Sequence, residues 1–393
     1  MSTRTSSRQA AQKAKDAIAS SSEAKETGSK RKGPVQKTPA PKREKKEAQL
    51  PESSETKAPE PAKAAEPIKE EAKPAPEAEP ASEVKAFPDG SADSTQTIEA
   101  GVQTSEKREN VVSSNILEKG IIYFFFRPRV NVEDPHSVGD VARSFFVLRP
   151  TPKGAELDHS QSVDRNARCR LMLLPKKKFP TSAKERDMGF VEKAGQTMQQ
   201  LQENFIAGEK YQTSTQGERT VQEARPYAEG VYAITSTSRS SHLAYILTIP
   251  AELGDIQENF GLRNKGSWIV QAKNPKFPGP SFAQLPKEPE YPEAVREKFG
   301  DLRWIPLEPE FLDYPNAQFL MIGEAQNDLG KAATSEGHKE PHEQEPGQEI
   351  EKLEQENETR VESLQGDQTI YQDLGLEAQK YPSLKTTWTS TYS

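Results

Sequence analysis

Residues 225–250 read RPYAEGVYAITSTSRSSHLAYILTIP, and their pattern decides the fold. Val231, Ala233 and Thr235 alternate with Tyr232, Ile234 and Ser236, the period-two signature of a strand. His242 to Ile249 is an apolar run rich in aromatic and β-branched residues, which predicts a second strand buried on both faces. The polar residues 237–241 between them are loop chemistry. The stretch therefore predicts an antiparallel hairpin at the centre of a sheet.

Outward from this hairpin, similar runs predict more strands: residues 120–126 (GIIYFFF), 144–149 (SFFVLR), 168–174 (RCRLMLL) and 266–272 (GSWIVQA). Shorter ones are expected at 210–215, 302–305 and 318–322. Phe190, Ala194, Met198, Leu201 and Phe205 recur at three- and four-residue spacing, which predicts one helical stripe. Short helices are expected at 138–143, at 252–260 closed by Gly261, and at 293–299 stopped by Gly300. Strands and helices do not alternate regularly. That predicts an α+β class: a single strand-rich domain with a mostly antiparallel bent sheet or partial barrel and about three helices.

Composition sets the limits of this domain. The 393 residues are 33% hydrophobic and 29% charged, with 31 prolines. Aromatic residues concentrate between residues 115 and 325, which predicts one globular domain there. Residues 1–114 are predicted to be disordered, basic at first and then a Pro/Ala/Lys/Glu-rich linker. Residues 326–393 read as a disordered acidic tail. Within it, Ile350, Leu353, Val361 and Leu364 suggest a transient helix, with too few heptads for a coiled coil. Net charge is +8 over residues 1–50, −7 over 51–114, zero over 115–325 and −8 over 326–393. A neutral core is poorly suited to non-specific nucleic-acid binding, which needs surplus cations against phosphates. Nucleic-acid contact would fall to a local basic patch or to the basic N-terminal region.

The single cysteine, Cys169, excludes a disulfide within the chain. The longest apolar run, 121–126, is far shorter than a membrane span, so no membrane partner is expected. No hydrophobic stretch follows the N-terminus, so an intracellular protein is expected. Lys30 and Arg31, then ten residues, then Lys42, Arg43, Lys45 and Lys46 fit a bipartite nuclear-import signal read by an import receptor. The nucleus is the expected location, with the cytoplasm as the alternative. A solvated basic run is the plainer reading of the same residues, and a transit peptide over the first 22 residues is a third.

Candidate chemistry is sparse. None of His136, His159, His242, His338 and His342 shows metal-ligand spacing on a regular element, so no metal or cofactor is expected. Ser240, Ser241 and His242 could supply a nucleophile and base, but Ser241 and His242 are neighbours on a strand and face opposite ways. No orienting acid can be picked from the sequence. Arg219, Glu223, Arg225 and Glu229 surround the hairpin entry; with His242 they could line a polar site acting on an anion or phosphodiester. A salt-bridged loop is the plainer reading. Arg165, Arg168, Arg170, Lys176, Lys177 and Lys178, with Arg127 and Arg129, form the densest basic patch in the core, a candidate phosphate-binding face. Aromatic interleaving of the kind that stacks bases is missing from it. Cys169 alternates onto the apolar face and reads as a packed thiol. There is no Gly-rich phosphate loop or kinase or hydrolase motif.

The segments EKGIIYFFFRPRV, HSVGDVARSFFVLRP, MGFVEKA, EARPYAEGVYAIT, HLAYILTIP and GSWIVQAKNP resemble an uncharacterised family. It is widespread in filamentous fungi, with more distant relatives in plants and bacteria, and its fungal members are labelled BTB-domain transcription factor. The resemblance covers about residues 115–325 and implies a shared fold, with no activity and no functional residue to carry over. The core itself is strand-rich and shows no BTB-like series of helices. The functional expectation is a non-enzymatic nuclear interaction protein near transcription or chromatin. An enzyme or nucleic-acid-processing module using residues 219–229 and His242 is the alternative. A nucleic-acid binder using the Arg165–Lys178 face is the second.

Overall fold

In the computed structural model, which describes residues 96–213, 217–279, 284–335, 340–381 and 384, eight antiparallel strands close into a barrel. They are β1 (Ile116–Pro128), β2 (Val141–Thr151), β3 (Arg168–Leu174), β4 (Arg186–Thr197), β5 (Arg225–Ser236), β6 (Ser241–Ile249), β7 (Lys265–Lys273) and β8 (Gln318–Gln326). The order around the barrel is β1-β2-β3-β4-β8-β7-β6-β5, and β5 pairs back with β1. Two four-stranded meanders therefore meet twice, β1 against β5 and β4 against β8. Closure leaves none of the eight with a free edge.

Both faces of the wall are buried, which is why the strand sequences are apolar runs. On β1, Ile122, Phe124 and Phe126 point into the barrel, while Ile121, Tyr123 and Phe125 point outward under a second layer. On β6, Leu243, Tyr245 and Leu247 point in and Ala244 and Ile246 point out. Eight strands enclose a space that side chains can just fill. Here rings fill it: Tyr245 stacks on Trp268 at 4.6 Å, Trp268 on Phe179 at 5.0 Å, and Phe179 meets Phe124 edge-on at 5.3 Å. Helix Asp255–Phe260 plugs one end, with Phe260 stacked 4.6 Å from Tyr227. Tyr291, Phe299 and Phe311 close the other. Near that end Glu118 accepts from Arg170 and from the Tyr232 hydroxyl, each at 2.7 Å.

Strand packing around β1 and β5 leaves no room at two glycines. A Cβ on Gly230 would stand 2.0 Å from the Ile246 carbonyl oxygen, and one on Gly120 equally close to that of Arg149. Gly230 sits at a register shift beside Glu229, a β-bulge in the β5–β6 ladder.

The predicted hairpin is present as β5 and β6, with every residue of β6 buried. The α+β class and bent antiparallel sheet hold, in closed form. The helix expected through Phe190–Phe205 is instead strand as far as Thr197, and only Met198–Leu201 is α-helical before a wider turn at Gln202–Ile206. Asp187, Gly189 and Val191 alternate inward on β4, and Phe190 matched the helical period by coincidence. At 138–143 the helix is a single turn, Val138–Asp140, before β2 begins. The helix closed by Gly261 is present, with that glycine in the left-handed region at φ 87°.

The domain limits need the larger correction. Residues 96–114 already contain strands Gln96–Glu99 and Val102–Thr104 and helix Glu106–Val111. The region read as a disordered acidic tail contributes helices Pro346–Ser363 and Thr369–Leu374, which pack on the outside of the barrel. Ile350, Leu353, Val361, Ile370 and Leu374 join the outer core. The helix Pro346–Ser363 also buries Glu349, Asn357 and Arg360. Arg360, 0% exposed, donates to Glu229 of β5 at 2.9 Å and to Asp373 at 2.8 Å. Glu349 accepts from Lys119 at 2.5 Å and from Arg108 at 2.9 Å.

Arg360→Met leaves two buried carboxylates without their cation. It is expected to lower stability by about 3–5 kcal/mol in urea denaturation, the usual cost of breaking one side of a buried pair. An unchanged midpoint would show that the helix is not docked as described.

Candidate functional site

The β5–β6 turn builds a hydrogen-bonded loop from residue types that favour turns. The Thr237 amide donates to the Ser240 carbonyl at 2.8 Å, and the Ser240 amide donates to the Thr237 hydroxyl at 3.3 Å. Ser240 and His242 are two residues apart, so they share a side of the chain, as the neighbours Ser241 and His242 cannot. Ser240 Oγ lies 2.9 Å from His242 Nε2. The other ring nitrogen, Nδ1, lies 2.6 Å from Glu324 Oε2. The carboxylate requires a proton on Nδ1, which leaves Nε2 as the acceptor facing the serine hydroxyl.

Glu324 reaches His242 from two strands away. The β7–β8 ladder pairs Ser267 with Ala325 and Trp268 with Gly323, so Glu324 is the residue inserted by a bulge. Such a bulge re-aims a side chain. Ser267 Oγ also donates to Glu324 Oε2 at 3.0 Å, and the Lys331 amide bonds the same carboxylate. Burial pushes the Glu324 carboxyl up, but the hydrogen bonds from His242 and Ser267 outweigh it, and the group sits below the ordinary glutamate range. The imidazole is enclosed, whereas Ser240 is half-buried and follows the exposed Ser238 and Arg239 at the loop tip. A hydroxyl, an imidazole and a carboxylate in this order can pass a proton from serine to histidine.

The residues expected to act together lie apart. Arg225 donates to the Glu133 carbonyl at 2.6 Å. Glu229 is held by Arg360 and lies opposite Ile249, whereas His242 lies opposite Thr235. Seven residues of strand, on the order of 20 Å, separate the two positions. Burial first, then Asp373, pushes Glu229 up to about 8 against the pull of Arg360. Its Oε2 meets no hydrogen-bond partner among the described residues. Glu223 accepts from the Tyr381 hydroxyl at 2.8 Å, and Arg219 belongs to strand Gly217–Val221 of a separate hairpin.

The basic patch is divided too. Arg165 donates to Gln202 at 2.6 Å, and Arg170 is neutralised by Glu118 and Asp313, each at 2.7 Å. Arg168 is exposed at that end of β3. Lys176, Lys177 and Lys178 emerge at the opposite end, where Lys176 donates to the Arg186 carbonyl and Lys177 to that of Val141. Arg127 at the end of β1 donates to the Gln222 carbonyl at 2.7 Å and to that of Phe205. These cations do not form one continuous phosphate-binding face.

Cys169 is buried, and burial pushes its thiol up to about 12, which matches the expected packed thiol. Among the described residues no group of three or more His, Cys, Asp and Glu side chains is placed to hold a metal. His338 and the import-signal residues Lys30, Arg31, Lys42, Arg43, Lys45 and Lys46 lie outside the described residues. No described helix is long and apolar enough to cross a membrane.

Glu324 escaped sequence reasoning because no spacing rule connects residues 242 and 324. Ser240 was legible through the two-residue parity of the strand. Comparison with protein-family models, curated proteins and solved structures gave no match.

Because the Glu324 carboxyl is depressed in the folded state, its stabilisation is present above the unfolded glutamate value, about 4.3, and is lost as pH falls through the folded one. The stability gap between the natural chain and Glu324→Gln is therefore expected to be full at pH 7 and to shrink below about pH 4. Parallel pH–stability curves for the two proteins would contradict the assigned contact.

Proposed function

We propose that this chain is a nuclear interaction protein, non-enzymatic in that role, acting beside transcription or chromatin. One observation carries the reading: Lys30-Arg31 and the Lys42–Lys46 cluster stand ten residues apart in a region with net charge +8. That spacing suits two acidic pockets on an import receptor. The aromatic filling of the barrel supports the same reading, because the interior is a rigid core. Partner contact then falls to the outer surface and to the charged regions of opposite sign, residues 1–50 at +8 and 326–393 at −8. The likeness of residues 115–325 to fungal proteins labelled as transcription factors supports a place near transcription.

The full chain fused to a fluorescent protein is expected to accumulate in nuclei and to shift to the cytoplasm when Lys42→Ala and Arg43→Ala are combined. Nuclear exclusion of the natural sequence, or nuclear accumulation unaffected by both substitutions, would refute the reading.

A further inference from the structure

We propose that Ser240 is an acyl-accepting nucleophile, activated by His242 and oriented through Glu324, that attacks small activated esters. This goes beyond the nuclear role, and either could fail without the other. The carrying observation is a three-residue relay from β5–β6 and β8: Ser240 Oγ 2.9 Å from Nε2, and Nδ1 2.6 Å from the carboxylate. A histidine that merely filled space would need neither contact. The relay is also fixed from behind, since Ser267 and the Lys331 amide hold the carboxylate and the ring is enclosed. Enclosure of the base with partial exposure of the serine is the distribution that nucleophilic catalysis requires.

The groups around the relay define what it could attack. Ser240 lies at a loop tip on the outer wall, so the electrophile comes from solvent. Thr237 Oγ1 shares the Ser240 hydroxyl at 3.0 Å and lies 3.4 Å from Nε2, so the resting serine is held in place until an electrophile displaces that contact.

The step balances without an outside reagent. Ser240 Oγ bonds to the ester carbonyl carbon as its proton passes to His242 Nε2. The C–O bond to the leaving alcohol breaks, and that alcohol takes the proton from Nε2. Water then attacks the acyl-serine, gives one proton to Nε2, and releases the acid as Oγ recovers its proton.

The test uses the full chain and a fluorophosphonate probe, read by peptide mass spectrometry. Oγ–P forms, P–F breaks, fluoride leaves and the serine proton passes to Nε2. One adduct on Ser240 is expected, formed faster at higher pH. Ser240→Ala should abolish it. Glu324→Gln, which keeps the shape of the side chain, should slow it by about 10-fold or more and alter its pH profile. His242→Gln should slow it by about 100-fold or more, with circular dichroism confirming the fold. No adduct on Ser240 in the natural sequence overturns the proposal. So does labelling that is independent of pH, or equally fast in folded Glu324→Gln.

Discussion

One guanidinium joins the C-terminal helices to the barrel. Arg360 has no solvent exposure and sits between Glu229 on β5 and Asp373 on the helix that follows its own. Taking three ionisable groups out of water costs several kcal/mol per charge, and mutual attraction offsets that only when the hydrogen bonds are complete. Here Asn357 bonds the guanidinium at 2.9 Å and reaches Thr248 of β6 at 3.0 Å. Burial lowers the tendency of Arg360 to stay charged, but Asp373 and Glu229 outweigh it and raise its pKa. Burial raises Asp373, as it does Glu229. The helix can satisfy these contacts at one axial position, so the polar residues set its register on an otherwise apolar wall.

The same logic recurs one turn and more away. Lys119 of β1, Arg108 and Glu349 form a second buried cluster, with Glu356 accepting from Arg108 at 2.5 Å. Burial, then Arg108, lowers Lys119 to about 8 despite the pull of Glu349. Arg149 of β2 donates to Glu99 at 2.5 Å and ties the strand Gln96–Glu99 to the barrel. The barrel thus has a mainly aromatic and aliphatic interior, with the Glu118–Arg170 pair near one end, and an outer layer anchored by ions. A wall apolar on both faces would otherwise present a large sticky surface, and the covering layer buries it.

How much of this was legible depends on how far apart the partners lie. The β5–β6 hairpin and its flanking strands were readable because period-two alternation and apolar runs are local signals. Barrel closure was less so, since pairing β4 with β8 and β1 with β5 is a long-range choice. The C-terminal helix was legible only as a transient one, and its docking was missed because its buried stripe carries Glu349, Asn357 and Arg360 among Ile350, Leu353 and Val361. Charges at core positions look like solvent-facing residues until their partners are known, and Glu229 is 131 residues from Arg360. The relay at His242 was half legible for the same reason. Ser240 follows from strand parity, whereas Glu324 arrives through a bulge that no periodicity announces.

The hairpin that reveals the fold also holds both polar centres, Glu229 near one end of β5 and His242 near the opposite end of β6. Hydrogen–deuterium exchange on the full chain tests most directly whether the acidic C-terminal region belongs to the folded unit. Amides of residues 350–361 are expected to exchange as slowly as those of β1 and β5, through one shared opening of the whole domain. Rapid exchange in 350–361 while β1 and β5 stay protected would contradict the account.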